Sequence, residues 1–150
     1  MTKKELVKLL VALCKDENGV VNLSGLDFKQ EDVQVVDISG MQVNGDLYQG
    51  CQEVKGKLWQ HSQKVEGGLY QSNQEVGGVL HQSHQMVDGN LHQEEQKVNG
   101  DLYQGFQKVG GNLWQWEQKV KGDLNQSYQQ VGGTLEQSYQ EVENNLTQDK

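Results

Sequence analysis

The chain has the length of one ordinary domain, 150 residues, yet only 34% of it is apolar, 18 residues are glycine and none is proline. Its net charge of -8 excludes loose electrostatic binding to nucleic acid or to an anionic membrane and leaves basic protein surfaces as partners. Two cysteines, Cys14 and Cys51, are too few for a disulfide framework and fit a reducing, cytoplasmic setting.

The first predicted element is a helix over residues 2–15. Thr2 and Glu5 have capping-box spacing, Leu6, Leu9, Leu10 and Leu13 recur at helical intervals, and Asn18-Gly19 ends the run. Lys8 interrupts the apolar stretch, which is too short to span a bilayer, and no small-residue cleavage site follows it.

Residues 21–45 carry a period of five: VNLSG, LDFKQ, EDVQV, VDISG, MQVNG. Leu23, Phe28, Val33, Ile38 and Val43 are the central apolar positions, preceded by Asn22, Asp27, Asp32, Asp37 and Gln42. The pattern resembles the pentapeptide-repeat family, whose motif is a small residue, Asp or Asn, Leu or Phe, then two variable positions. GDLYQ at 45–49 and GNLWQ at 111–115 look like the same motif. The resemblance implies a right-handed quadrilateral β-helix of about 20 residues per coil. For some members it also implies mimicry of duplex DNA and binding to enzymes such as DNA gyrase. Segment 21–42 has the length of one such turn.

From Val43 to the end an 11-residue unit takes over, V-x-G-x-L-x-Q-x-x-Q-x, in ten copies with the last cut short. An 11-residue period also suits a right-handed coiled coil. Glycine at the third position of nine copies, Gly45 through Gly133, argues against it, since each costs about 1 kcal/mol in a helix interior. Read from the tenth position into the next copy, Q-x-V-x-G-x-L-x-Q alternates as a strand does. Gln, Val, Gly, Leu and Gln then face inward, and variable residues such as Asn90 face solvent. Pairs such as Gly50-Cys51 and Ser72-Asn73 make the corner, and inward glutamines stack as amide ladders. One copy forms one side of a flattened coil and two copies make a 22-residue turn. The expected fold is therefore an all-β, right-handed β-solenoid with two 11-residue units per coil. Residues 1–19 form a helical cap and residues 20–150 the solenoid, pentapeptide-like over 21–42 and 11-residue repeats over 43–150.

Candidate chemistry is sparse. His61, His81, His84 and His92 read as surface and corner residues without a converging set of ligands, so no metal or cofactor is expected. Neither cysteine has a base arranged beside it, and the glycine pairs belong to the repeat rather than to a phosphate loop. The expected function is accordingly binding or assembly, not catalysis.

Charge is sorted by copy number. Odd copies hold ten acids against Lys97 and Lys119, a net of -8, whereas even copies sum to +2. With two copies per coil, this places an acidic face opposite a weakly basic one. Aromatic residues interleave with the acids. The candidate partner-binding residues are Asp46, Tyr48, Glu53, Glu66, Tyr70, Glu75, Asp88, Glu94, Glu95, Trp114 and Glu117. The expected partner is a protein with a basic nucleic-acid-binding surface, of the gyrase, restriction-enzyme or CRISPR-nuclease type, which the chain inhibits as a nucleic-acid mimic. Direct nucleic-acid or membrane binding is not expected. The alternative is a self-assembling solenoid, spacer or scaffold. The degenerate last copy, VENNLTQDK, suggests a terminus or a two-fold homodimer contact at the C-terminal end rather than open-ended stacking.

Overall fold

A computed structural model describes residues 3–25, 27–28 and 34–149. The chain winds as a parallel β-solenoid with four sides. The expected nine-residue strand is broken at its centre. Each copy instead supplies two short strands, as in Lys64–Val65 and Leu69–Tyr70, with the third-position glycine at the bend between them. One copy therefore turns a corner and lines two sides, and the coil is quadrilateral rather than flattened.

The register fixes a two-copy, 22-residue coil. Val43 pairs with Val65 and Val65 with Val87, while Val54, Val76 and Val98 form a separate column. Leu47, Leu69, Leu91 and Leu113 stack in a third column and Leu58, Leu80, Leu102 and Leu124 in a fourth. We call these the odd valine, even valine, odd leucine and even leucine sides, after the copies that supply their inward residues.

Two kinds of corner join them. At the corner between a valine and a leucine side, glycine backbones lie directly on one another: the Gly89 N–H donates to the Gly67 carbonyl at 3.0 Å, and a Cβ on Gly89 would sit 2.7 Å from that oxygen. A methyl group does not fit there, which accounts for nine glycines at the third position. At the corner between a leucine side and the next valine side, the ninth residue of each of the first nine copies takes a left-handed conformation. Cys51, Ser62, Asn73, His84, Glu95, Phe106, Glu117, Tyr128 and Tyr139 all have φ between 52° and 57°.

The interior is half hydrocarbon and half amide. The first-position valines and fifth-position leucines from Val43 to Leu124 are buried, and so are the corner glutamines from Gln49 to Gln126. From Gln71 onward each of these amides donates to its counterpart one coil earlier, as Gln93 Nε2 does to Gln71 Oε1 at 3.1 Å and Gln96 Nε2 to Gln74 Oε1 at 3.0 Å. Gln96 Nε2 also donates to the Gln71 backbone carbonyl at 2.8 Å. A third set crosses between the two glutamine corners, with Gln60 Nε2 donating to Gln52 Oε1 at 2.8 Å. Burying so many amides is tolerated because each is matched to another at a fixed repeat.

The first turn departs from the expected two-copy length. Val21 pairs with Leu47 and Asp27 with Glu53, whereas Val35 pairs with Lys57 at the ordinary spacing. The first two pairings span four residues more than the third, and the insertion falls between Phe28 and Val35 in the sequence. Leu23, Ile38 and Val43 are buried as the five-residue period predicts, joined by Val21, Val36 and Met41 two positions earlier. Val33 lies outside the described residues. The helix, α1 (Lys3–Cys14), packs Leu10, Val11 and Cys14 against this first turn. Leu9 and Leu13 are exposed, so the covering stripe is rotated from the one expected. Thr2 lies outside the described residues. Asp16 Oδ1 accepts the N–H groups of Asn18 and Val20 in the turn that follows.

Candidate functional site

Because each copy turns a corner, the eleven candidate residues do not share one plane. They wrap from one glycine corner, across the odd leucine side, around a glutamine corner and onto the even valine side.

On the odd leucine side the aromatic residues form one continuous stack. Tyr48 and Tyr70 lie parallel with centroids 4.6 Å apart, Tyr70 and His92 at 4.9 Å, and His92 and Trp114 at 4.3 Å. His92 is not among the expected residues, although its sixth position in the copy marks it. The rings cover one another's faces, so a partner meets their edges. Burial, with Tyr48 and Asp46 nearby, raises the Tyr70 hydroxyl above its usual pKa.

Two of the acids have structural roles. Asp46 Oδ1 accepts the Gly68 N–H one coil up at 2.7 Å. Asn90, Asp101, Asn112 and Asp123 make the same fourth-position contact, so Asn90 is not the free solvent-facing residue expected. Glu94 is held between His92 Nδ1 at 2.9 Å and the Ser72 hydroxyl at 3.1 Å. The carboxylate stands between serine and imidazole, so the histidine does not receive the serine proton as a nucleophile's base would.

The remaining acids are placed for contact. Glu66 and Asp88 are exposed beside Val65 and Val87 at the glycine corner, and Glu95 and Glu117 are exposed at the left-handed glutamine corner. Glu53 and Glu75 lie around that corner, on the even valine side, in a column with Lys97, Lys119 and Glu141. Lys119 and Glu141 pair at 3.4 Å there, so this column is electrically mixed.

The opposite half of the rod carries its own aromatic set. Trp59, His81 and Tyr103 lie in register on the even leucine side, with His61 edge-on to His81 at 4.7 Å. Burial first, then His61 and His84, lowers the His81 pKa below 6.5. At the adjoining corner, His84 and Phe106 stack at 5.0 Å, as do Phe106 and Tyr128. Sequence reasoning does not find this ridge, since its members are variable ninth-position residues that only the left-handed corner brings into line.

Among the described residues, no group of three or more His, Cys, Asp or Glu is placed to hold a metal ion, and no helix is long and apolar enough to cross a membrane. No protein-family model, curated protein or solved structure matches the chain.

Proposed function

We propose that the chain is a non-catalytic protein-binding rod, a divergent relative of the pentapeptide-repeat proteins, whose odd copies imitate nucleic acid toward a basic channel. The observation that carries this reading is the wrapping of Glu66 and Asp88 at one corner and Glu95 and Glu117 at the next around the intervening aromatic side. A flat partner touches only part of that set, whereas a channel that encloses a rod reaches all of it. Charge density supports the same reading. A net of -8 on the odd copies over about five coils, at roughly 4.8 Å per coil, gives about one charge per 3 Å, against about one per 1.7 Å in duplex DNA. The rod thus offers about half the linear charge of the duplex. Four-sided coils and inward Leu23 and Ile38 are the features that support the family kinship.

The test is competition with labelled duplex DNA for a gyrase, a restriction enzyme and a CRISPR nuclease. Replacing Glu66, Asp88, Glu95 and Glu117 by their amides should leave the melting temperature unchanged, because exposed charges contribute little to stability. It should weaken competition by at least about tenfold, or 1.4 kcal/mol. Competition by the native chain should also fall as salt rises. If none of the three enzymes is displaced from DNA, mimicry is wrong and assembly or spacing becomes the reading to pursue.

A further inference from the structure

The corner between the even leucine and odd valine sides differs from the rest of the rod in two independent ways. Away from the first and last coils, the exposed large apolar side chains among the described residues are Met86, Phe106 and Tyr128, and all three lie at this corner or beside it. The four full-length repeat segments that build it, 58–65, 80–87, 102–109 and 124–131, contain no Asp or Glu in a chain that has 21 of them, and the truncated last segment adds Asp149 alone. Each of the corresponding odd segments contains at least one.

The charges that stand in those four full-length segments are cationic. Lys64 and Lys108 are exposed in the same column as Met86, one coil below it and one above. They are separated by two strand spacings, roughly 9.6 Å. Between the first and last coils, the nearest acids lie outside the strip: Glu66 and Asp88 at the far edge of the odd valine side, Asp101 and Asp123 at the far edge of the even leucine side. On the last coil Asp149 stands above Tyr128, whose N–H its carbonyl accepts at 2.8 Å. Phe106 and Tyr128 also hold a left-handed backbone that bulky residues rarely adopt, so these rings sit exposed at a conformational cost.

We propose that this corner is a second protein-docking edge, and that its occupant is an acidic protein segment with interspersed apolar side chains. Apolar groups of the segment cover Met86, Phe106 and Tyr128, and its carboxylates meet Lys64 and Lys108. Aromatic and methionine anchors bracketed by charge are the composition of binding hot spots. In a polyproline-II segment, with three residues per turn, carboxylates three residues apart share one face about 9 Å apart and match the two lysines. A second copy offering its own acidic corner is the weaker occupant, because that contact joins unlike corners and grows without closing. Taken with the acidic half, this edge makes the rod a two-sided adaptor, but it does not depend on the mimicry reading.

The probe is a fluorescent synthetic peptide of repeating Glu-Leu-Tyr, with repeating Lys-Leu-Tyr and polyglutamate as comparators, titrated against the full chain. The Glu-Leu-Tyr peptide should bind at least about tenfold more tightly than either comparator. The combined variant Met86→Gln, Phe106→Asn, Tyr128→Asn keeps a left-handed-tolerant residue at both corner positions, so it should fold. It should lose at least about tenfold in affinity, and so should Lys64→Gln with Lys108→Gln. The amide variant of Glu66, Asp88, Glu95 and Glu117 should bind the peptide as the native chain does, which separates this edge from the acidic half. No peptide binding, equal binding by either comparator, or unchanged binding by the lysine variant overturns the proposal. So does a chain that dimerises in sedimentation and becomes monomeric in the lysine variant, since the occupant is then a second copy.

Discussion

Nine non-glycine residues with φ between 52° and 57° would ordinarily destabilise a protein, since a left-handed residue costs about 1–2 kcal/mol. The flanking glutamines hold these corners in place from inside, which frees the ninth position to carry almost any side chain. Glu95, exposed at its corner, reports the residual strain most directly. Glu95→Gly should raise the urea midpoint, through a gain of up to about 1 kcal/mol in unfolding free energy after the entropy of glycine is subtracted, and Glu95→Val should lower it. A midpoint order other than Gly above Glu above Val would mean that the corner is not strained. His81 gives a second residue-scale expectation. Burial, His61 and His84 hold its folded pKa below 6.5, so below pH 6.5 the unfolded chain binds a proton that the folded chain resists. Stability should therefore be full above pH 6.5 and decline as pH falls through that value toward the folded pKa. His81→Tyr, which extends the column between Trp59 and Tyr103, should flatten this part of the melting-temperature profile.

At the scale of the element, the strands are too short to stand alone, and what aligns them is the pair of ladders beside them. Strands of two residues supply little hydrogen bonding within any one side. The amide columns add side-chain bonds in the same direction, coil upon coil. Gln93 donates to Gln71, Gln82 and Gln85 and accepts from Gln115, so it ties both glutamine corners together. Gln93→Leu keeps the volume but strands the Gln71 oxygen and one Gln115 donor contact. It should cost about 3 kcal/mol in denaturant unfolding, at roughly 1–3 kcal/mol per unsatisfied group. Gln148→Leu, on the exposed last coil, should cost under about 1 kcal/mol. Equal losses at the two sites would show that the ladder is ornament to an apolar core rather than part of it.

For the whole molecule, an 11-residue unit in a two-copy coil has a consequence that separates stability from binding. Odd and even copies share the same inward residues, so removing one copy moves every later copy to the opposite side without disturbing the core pattern. Copy 76–86, VGGVLHQSHQM, carries no Asp, Glu or Lys, and its deletion leaves the net charge at -8. The shortened chain should keep a β-rich circular dichroism spectrum and cooperative unfolding. It should lose at least about tenfold in competition with DNA, because acids from the odd copies then fall on both halves of the rod. Native-like competition by this deletion would show that total charge, not its placement, is what a partner reads.

The sequence by itself determined the repeat, the inward valines and leucines and the amide ladders, because each is a local periodicity that recurs in copy after copy. That period suits a coil of one copy or of two, and the pairing of Val43 with Val65 and of Val65 with Val87 selects two. Only the tertiary structure decided that the coil has four sides, since Q-x-V-x-G-x-L-x-Q alternates equally well in a straight strand and in one bent at glycine. Contact between Gly67 and Gly89 one coil apart selects the bend. Stacking across that bend turned Asp46 to a backbone amide, while the left-handed glutamine corners took Glu53 and Glu75 off the odd leucine side and gathered Met86, Phe106 and Tyr128. Those placements depend on which residues meet one coil apart across a corner, a relation that no alternation along the chain encodes.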